Sequence, residues 1–158
     1  MTLRLPRARD VFALVREATR HVLRHPVVGA AAAARTEDGR WILIRRRDTN
    51  GWALPGGTLE WGETLTSAIG RELSEEAGVD LIGEPQLFGV YSSPERDYRF
   101  HAVTVLMTAT VSEPLRPPRN PLEIVEVGRF AREELPQRLS MGMNDMLHDV
   151  LEGRRRLE

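Results

Sequence analysis

The chain has 158 residues, of which 41% are hydrophobic and 28% charged, and its formal net charge is −1. This composition suits one globular domain with a sizeable core, and the charge gives no broad basic surface that would recruit nucleic acid or a membrane. Cysteine is absent, which excludes disulfides and zinc–sulfur sites and is compatible with the cytoplasm, where we expect the protein. All 22 basic residues are arginine, which excludes a lysine-dependent P-loop and Schiff-base chemistry.

The first segment, residues 1–26, is predicted to be an amphipathic helix that precedes the main domain. Its apolar side chains recur at helical spacing over residues 10–25, and Pro26 ends the pattern. The segment lacks the unbroken apolar run of a signal peptide. Its apolar face is expected to pack on its own domain or on a second copy of the chain.

Apolar runs and the turns between them predict several strands. Residues 27–35 and Trp41–Arg46 form a hairpin across a turn at residues 37–40. The other strands cover residues 86–93, 100–111 and 123–130. A charged loop, residues 94–99, joins the first two of these.

Two further helices are predicted, over residues 64–77 with Gly78 as the C-cap, and over residues 140–151. The inward side chains of the second are Met143, Met146, Leu147 and Val150. The mixture of strand pairs and helices predicts an α/β (α+β) domain over residues 27–153, with a mixed sheet between helices. Residues 154–158 are expected to form a solvated basic tail.

The helix at residues 64–77 carries three carboxylates close together: Glu72, Glu75 and Glu76. At about 100° per residue, these side chains lie on or beside the apolar stripe rather than on the wet face. Like charges at this spacing repel by about 0.2–0.5 kcal/mol per pair even on an exposed helix. Two compensations are open: neutralisation by an arginine such as Arg71, or a hard divalent cation, Mg²⁺ or Mn²⁺.

The loop before this helix favours the cation. Gly56 and Gly57 allow the backbone to approach a site closely, and Glu63 places a negative charge at the helix start, where it is favourable. A glycine loop followed by a carboxylate helix suits a cradle for metal-bound phosphates.

Gly57, Glu63 and residues 71–79 together resemble the Nudix box at every position that the box fixes. The resemblance extends over roughly residues 27–150, so a Nudix fold is expected. Gly70 stands inside the box where many members of the family have alanine; it weakens the helix by up to about 1 kcal/mol.

Members of this family cleave a nucleoside diphosphate linked to another moiety by metal-assisted hydrolysis, so the resemblance implies a nucleotide-binding hydrolase that uses Mg²⁺, or Mn²⁺. It implies metal ligands at the Gly57 carbonyl and at the three box carboxylates, and Arg71 as an orienting partner of Glu63. It leaves the general base open. The candidates are Glu72 first, Glu123 second, and then Glu126, which alternation puts on the opposite sheet face, and Glu95.

Pro94 lies where the ADP-ribose and nucleotide-sugar branch of the family has a proline, so cleavage of such a compound into two monophosphates is expected. Arg46, Arg96 and Arg99 are expected to bind phosphates. Tyr98 either stacks on a base or packs in the core. The alternatives are a MutT-type triphosphate pyrophosphohydrolase, a domain that senses nucleotides without cleaving them, and action on capped or triphosphorylated RNA. Homodimers are common in the family, so a homodimer through the N-terminal helix is expected.

Overall fold

The computed structural model describes residues 25–96 and 101–158, together with Arg16. The strands are β1 (Val27–Thr36), β2 (Trp41–Arg46), β3 (Trp52–Ala53), β4 (Gly56–Thr58), β5 (Leu81–Tyr91), β6 (Ala102–Val111) and β7 (Ile124–Phe130). The helices are α1 (Leu65–Glu72), which continues as a π-helical turn (Leu73–Ala77), a short 3₁₀ helix (Arg132–Glu134) and α2 (Asn144–Leu151). Apart from Arg16, His25 and Pro26, the segment predicted as the N-terminal helix lies outside the described residues. Within the described residues, no helix is long and apolar enough to cross a lipid bilayer.

The strands form one mixed sheet in the order β3-β2-β1-β6-β5, with β4 paired to β1 and β7 paired to β2. β1 and β6 run parallel from Val27↔Ala102 to Thr36↔Val111, and the other pairs are antiparallel. The predicted mixed sheet and mixed α+β class are confirmed.

β1 lies at the centre of the sheet, and this position explains its run of alanines. Residues 30–34 are buried without interruption, which means that both faces of the strand are covered rather than one. The small side chains also allow close approach by β4, which pairs with β1 at Ala30↔Gly57 and Ala31↔Gly56. A Cβ atom at Gly29 would lie only 2.8 Å from the Gly57 carbonyl oxygen. The core strand therefore holds the glycine loop in place.

Several predicted boundaries need correction. The stretch before the box helix contains β3 and β4, which are too short to show periodicity. β5 starts at Leu81, earlier than predicted, because its register with β6 is broken twice and hides the alternation. α2 starts at Asn144, later than predicted, because Met141 and Gly142 have positive φ angles of 59° and 65°.

Most of residues 154–158 are exposed, and they also pair with the edge of β5, which the sequence did not predict. Val90 donates its N–H to the Arg156 carbonyl at 2.9 Å and accepts from the Glu158 N–H at 3.0 Å. Arg156 donates to the fully buried Asp149 at 2.8 Å. The tail covers part of a sheet edge and neutralises a buried carboxylate.

Candidate active site

The box helix has the predicted start and stop. Thr64 caps it by accepting from the Ser67 N–H at 3.2 Å and donating its own N–H to the Ser67 hydroxyl at 2.9 Å. Gly78 ends it with φ 65° and an N–H bond to the Leu73 carbonyl. The last turn is π-helical, which the sequence pattern did not predict; such turns are frequent at functional sites.

The helix, its preceding loop and the start of β7 enclose an open cleft of about 720 Å³. Its charged lining consists of Glu72, Glu75, Glu76, Glu123, Arg46, Arg71 and Arg119. The structure therefore brings together all three box carboxylates, the remote Glu123 and two of the predicted arginines. The cleft thus contains four carboxyl groups and three guanidinium groups.

Glu76 is the most buried of these carboxylates, with 7% of its surface exposed. Its Oε2 accepts the Gly56 N–H at 2.9 Å, and its Oε1 lies 3.8 Å from Arg46 Nη1. Burial raises the pKa of Glu76 to about 8, against the opposing effect of the Gly56 hydrogen bond. A carboxylate held in this way gains from a nearby positive charge.

Glu72 lies directly against the glycine loop. A Cβ atom on Gly57 would come within 2.8 Å of the Glu72 carboxyl carbon, so only glycine leaves this carboxylate its place. Burial raises the pKa of Glu72, and the hydrogen bond from Arg71, at 2.8 Å, acts in the opposite direction.

Arg71 pairs with Glu63, as the resemblance implied. Its Nε and Nη2 atoms donate to the two Glu63 oxygens at 2.8 and 3.0 Å, and Nη2 also reaches the Thr58 carbonyl at 3.3 Å. This bidentate bond holds the pKa of Glu63 at about 2. Arg71 thereby ties the helix to the loop that precedes it.

Glu75 is bound by an arginine that sequence reasoning missed. Arg119 donates both its side chain and its backbone N–H to Glu75, the latter to the Glu75 carbonyl at 2.7 Å. Arg119 lies in a proline-rich loop, and nothing in its local sequence indicates that this loop reaches the helix.

The neighbouring residues Arg45 and Arg46, at the end of β2, point to opposite sides of the sheet. Arg46 faces the cleft, and Arg45 faces away from it. Arg46, with 11% of its side chain exposed, donates to Glu123 at 3.0 Å and to Asp48 at 3.0 Å. Burial alone would lower the pKa of Arg46, but the Asp48 bond and the charges of Glu123 and Glu76 raise it. Arg45 pairs with Glu126 at 3.1 Å, which matches the predicted opposite face for Glu126.

Of the remaining predicted residues, Arg96 and Glu95 are described, and neither lines this cleft. Arg96 donates to Asp145 at 2.8 and 2.6 Å and to Glu158 at 2.8 and 2.6 Å, so the protein's own carboxylates engage its guanidinium. Glu95 is exposed. Tyr98 and Arg99 lie outside the described residues.

The three box carboxylates are the type of ligand that suits a hard cation, but in this structure their side chains bond to other groups of the protein. In the part of the chain that the structure describes, no three acidic or histidine groups converge closely enough to hold one ion. Glu72 instead bonds to Arg71, Glu75 to Arg119 and Glu76 to the Gly56 N–H. All three are oxygen donors on one cleft wall, as Mg²⁺ or Mn²⁺ requires, and burial is the main cause of the raised pKa values of Glu72 and Glu76.

Comparison with known proteins identifies this fold as that of the Nudix hydrolases. The family model of the NUDIX domain matches residues 23–150. The crystal structure of a MutT NUDIX hydrolase from Burkholderia pseudomallei superposes with a TM-score of 0.69 at 32% identity, covering 80% of this chain and 99% of that one. The chain belongs to the NUDIX family.

Two curated relatives are similar over shorter segments. An ADP-ribose pyrophosphatase of Methanocaldococcus jannaschii is 39% identical over 90 residues, which are 55% of this chain and 52% of that protein. A MutT-like protein of Streptomyces ambofaciens is 43% identical over 69 residues, which are 44% of each. The chain thus spans about half the length of the curated relatives that it matches.

Proposed function

We propose that the chain is a pyrophosphohydrolase that requires Mg²⁺ or Mn²⁺ and cleaves nucleoside diphosphate-linked compounds into two monophosphates. ADP-ribose or a nucleotide sugar is the favoured substrate. The observation that carries this proposal is the shared cleft in which Glu72, Glu75 and Glu76 lie beside Glu123 and Arg46. We assign the activity to residues 27–153 and expect a cytoplasmic homodimer.

The metal would be held by the Gly57 carbonyl and the carboxylates of Glu72, Glu75 and Glu76. When bound, divalent cations in such sites neutralise phosphate charge and make water a better nucleophile. Arg71 keeps Glu72 and Glu63 in place through its hydrogen bonds to both carboxylates. The N–H of Gly56 fixes Glu76 in the same way.

Two residues opposite the helix act on the substrate. Arg46 projects its guanidinium into the cleft, where it binds a phosphate oxygen. Glu123 is 46% exposed, lies off the box helix and has Arg46 as its partner, so it receives the proton of the attacking water as general base. Glu72 is the alternative base, but its bonds to Arg71 and its packing on Gly57 suit a ligand better.

A second, apolar cleft adjoins the first and suits the nucleoside. Gly56, Gly57, Thr58 and Met141 line both clefts. The methionines Met141, Met143 and Met146 supply much of the apolar wall. An apolar surface beside a polar reaction site is a common arrangement for nucleotide ligands.

The relatives support two branches. The similarity to the M. jannaschii ADP-ribose pyrophosphatase supports the diphosphate-linked substrate. The similarity to MutT-like proteins supports the alternative, in which a nucleoside triphosphate loses pyrophosphate. The products distinguish the two, because the first gives two monophosphates and the second gives one monophosphate and pyrophosphate.

The test is a turnover assay of the full chain with Mg²⁺ on ADP-ribose, several nucleotide sugars, dinucleotides and all deoxynucleoside triphosphates. Chromatographic identification of the products names the bond that breaks. We expect strong cleavage of one diphosphate-linked compound into two monophosphates, abolished by EDTA. Pyrophosphate as the product would indicate a MutT-type enzyme. Binding of these compounds without turnover of any of them would indicate a domain that senses nucleotides without cleaving them.

A further inference from the structure

The loop between β6 and β7, residues 112–123, is fastened along the end of the box helix, and we call it the arginine loop. Leu115 donates its N–H to the Gly78 carbonyl at 3.0 Å. Arg116 pairs with Asp80 and reaches the Ser74 hydroxyl at 3.3 Å. The N–H of Arg119 bonds to the Glu75 carbonyl at 2.7 Å. These bonds come from backbone and side chain alike, so the loop has a defined seat on the helix.

The backbone bond places the Arg119 side chain at the mouth of the acidic cleft, whatever that side chain binds. Arg119 is 77% exposed, whereas Arg71 is 25% exposed and Arg46 is 11% exposed. Arg71 is also held by Glu63, on a separate element, and by Glu72. Among the arginines of the cleft, Arg119 therefore has the most room to change partners.

We propose that Arg119 is a substrate-binding residue that pairs with Glu75 in the free protein and with a phosphate oxygen of the substrate once Glu75 ligates the metal. This inference rests on the proposed function. A guanidinium and a divalent cation repel one another and compete for the same carboxylate, so metal binding at Glu75 releases Arg119. The released guanidinium stays beside the cleft through its backbone bond, and its planar fork suits a phosphate.

The exchange predicts two effects of opposite sign for Arg119→Gln. Without the competing guanidinium, the full chain should bind Mn²⁺ alone about two- to fivefold more tightly, as expected for the loss of an exposed ion pair. The KM for the cleaved compound should rise by about tenfold or more, because a charge-assisted bond to the phosphate is lost. Arg119→Lys should recover part of the KM, since it restores the charge without the fork.

Arg116→Gln is the matched control, because Arg116 lies on the same loop but pairs with Asp80 away from the cleft. Its Mn²⁺ affinity and KM should equal those of the wild type. Mn²⁺ binding is measured by electron paramagnetic resonance, and KM and kcat by product formation.

The outcomes separate this inference from the proposed function. Wild-type turnover with an unchanged KM in Arg119→Gln would overturn the inference alone. A weaker Mn²⁺ affinity in Arg119→Gln would also overturn it, because Arg119 would then support Glu75 rather than compete for it. Absence of turnover in the wild type would overturn the proposed function, and the inference with it.

Discussion

Arg45 and Arg46 differ by one position and have different surroundings. Arg46 is enclosed by Glu123, Glu76 and Asp48, whereas Arg45 faces Glu126 and Asn50 on the outer side. Alternation along a strand requires that only one of two neighbours face the cleft. The register break between these two residues on the β7 side sets the position of Arg46 against Glu123.

Conservative variants of single residues distinguish the general base from the metal ligands. Glu123→Gln should lower kcat about 100-fold or more, as for loss of a general base, and should leave Mn²⁺ affinity unchanged. Glu72→Gln should weaken Mn²⁺ binding as well as turnover, because it removes a ligand charge. Mn²⁺ titration beside steady-state kinetics checks both. Full turnover in Glu123→Gln would assign the base to Glu72.

Some features of the box helix could be predicted from the sequence pattern, and others could not. Its extent and its Gly78 cap follow from local signals, since a left-handed residue is needed to end the helix. The π-helical turn at Leu73–Ala77 does not follow, because an i→i+5 bond has no signature in apolar spacing. The turn carries Glu75 and Glu76, so it changes the direction of two of the three carboxylates.

Gly78 also leaves room for the backbone of the arginine loop, which passes close to it. A pair of variants tests this role. An alanine there would adopt φ 65° and place its Cβ atom within 2.8 Å of the Arg116 carbonyl carbon. Gly153 has nearly the same φ, 68°, and a Cβ atom added there would meet no atom of the described residues within 4 Å. We expect Gly153→Ala to lower the free energy of unfolding by about 1 kcal/mol from backbone strain alone, and Gly78→Ala by at least about 2 kcal/mol. Urea denaturation measures the free energy of unfolding of both variants. Equal losses would mean that the arginine loop moves away from the added Cβ atom at no cost in free energy.

The fold of the whole molecule could be predicted further than its site. The strand runs, the box helix and the mixed sheet are visible because each has a local pattern. The Arg71–Glu63 bond came through the resemblance of the box. Arg119 could not be predicted, because its side chain meets Glu75 across 44 positions of sequence. The seat of the C-terminal residues on β5 is a long-range contact of the same kind.

These C-terminal residues join three parts of the molecule through one ion cluster. Glu158 accepts from Arg96 and from the N–H groups of Ser92 and Ser93. Arg96 also binds Asp145 at the start of α2. The cluster therefore connects β5, the loop after it and α2.

The cluster predicts a pH dependence of stability. The bond from Arg96 lowers the pKa of Glu158 to about 2 from its ordinary value of 4.5. A carboxyl with a lowered folded-state pKa stabilises the protein above the ordinary value, and this contribution is lost as the pH falls from about 4.5 to about 2. Glu158→Gln should lower the free energy of unfolding by about 1 kcal/mol at neutral pH, and the difference from wild type should vanish near pH 2. The Asp145 pKa is lowered in the same direction by Arg96.

Chemical denaturation between pH 2 and pH 7 measures this difference. Glu152→Gln is the control, since Glu152 is about half exposed and lies 3.7 Å from Arg132. A constant difference between wild type and Glu158→Gln over the whole range would contradict the role of the Glu158 charge.

Glu76→Gln is the variant that best tests whether the carboxylates of the box helix hold the metal that the proposed reaction needs. Glutamine keeps the shape of the side chain and its bond from the Gly56 N–H, but it removes the charge. The measurement is Mn²⁺ titration and turnover of this variant beside wild type and Glu126→Gln, whose glutamate lies on the outer face. We predict loss of Mn²⁺ binding and at least about a 100-fold loss of kcat/KM, with folding intact and the control unaffected. Wild-type Mn²⁺ affinity and turnover in Glu76→Gln would show that the box helix does not hold the metal.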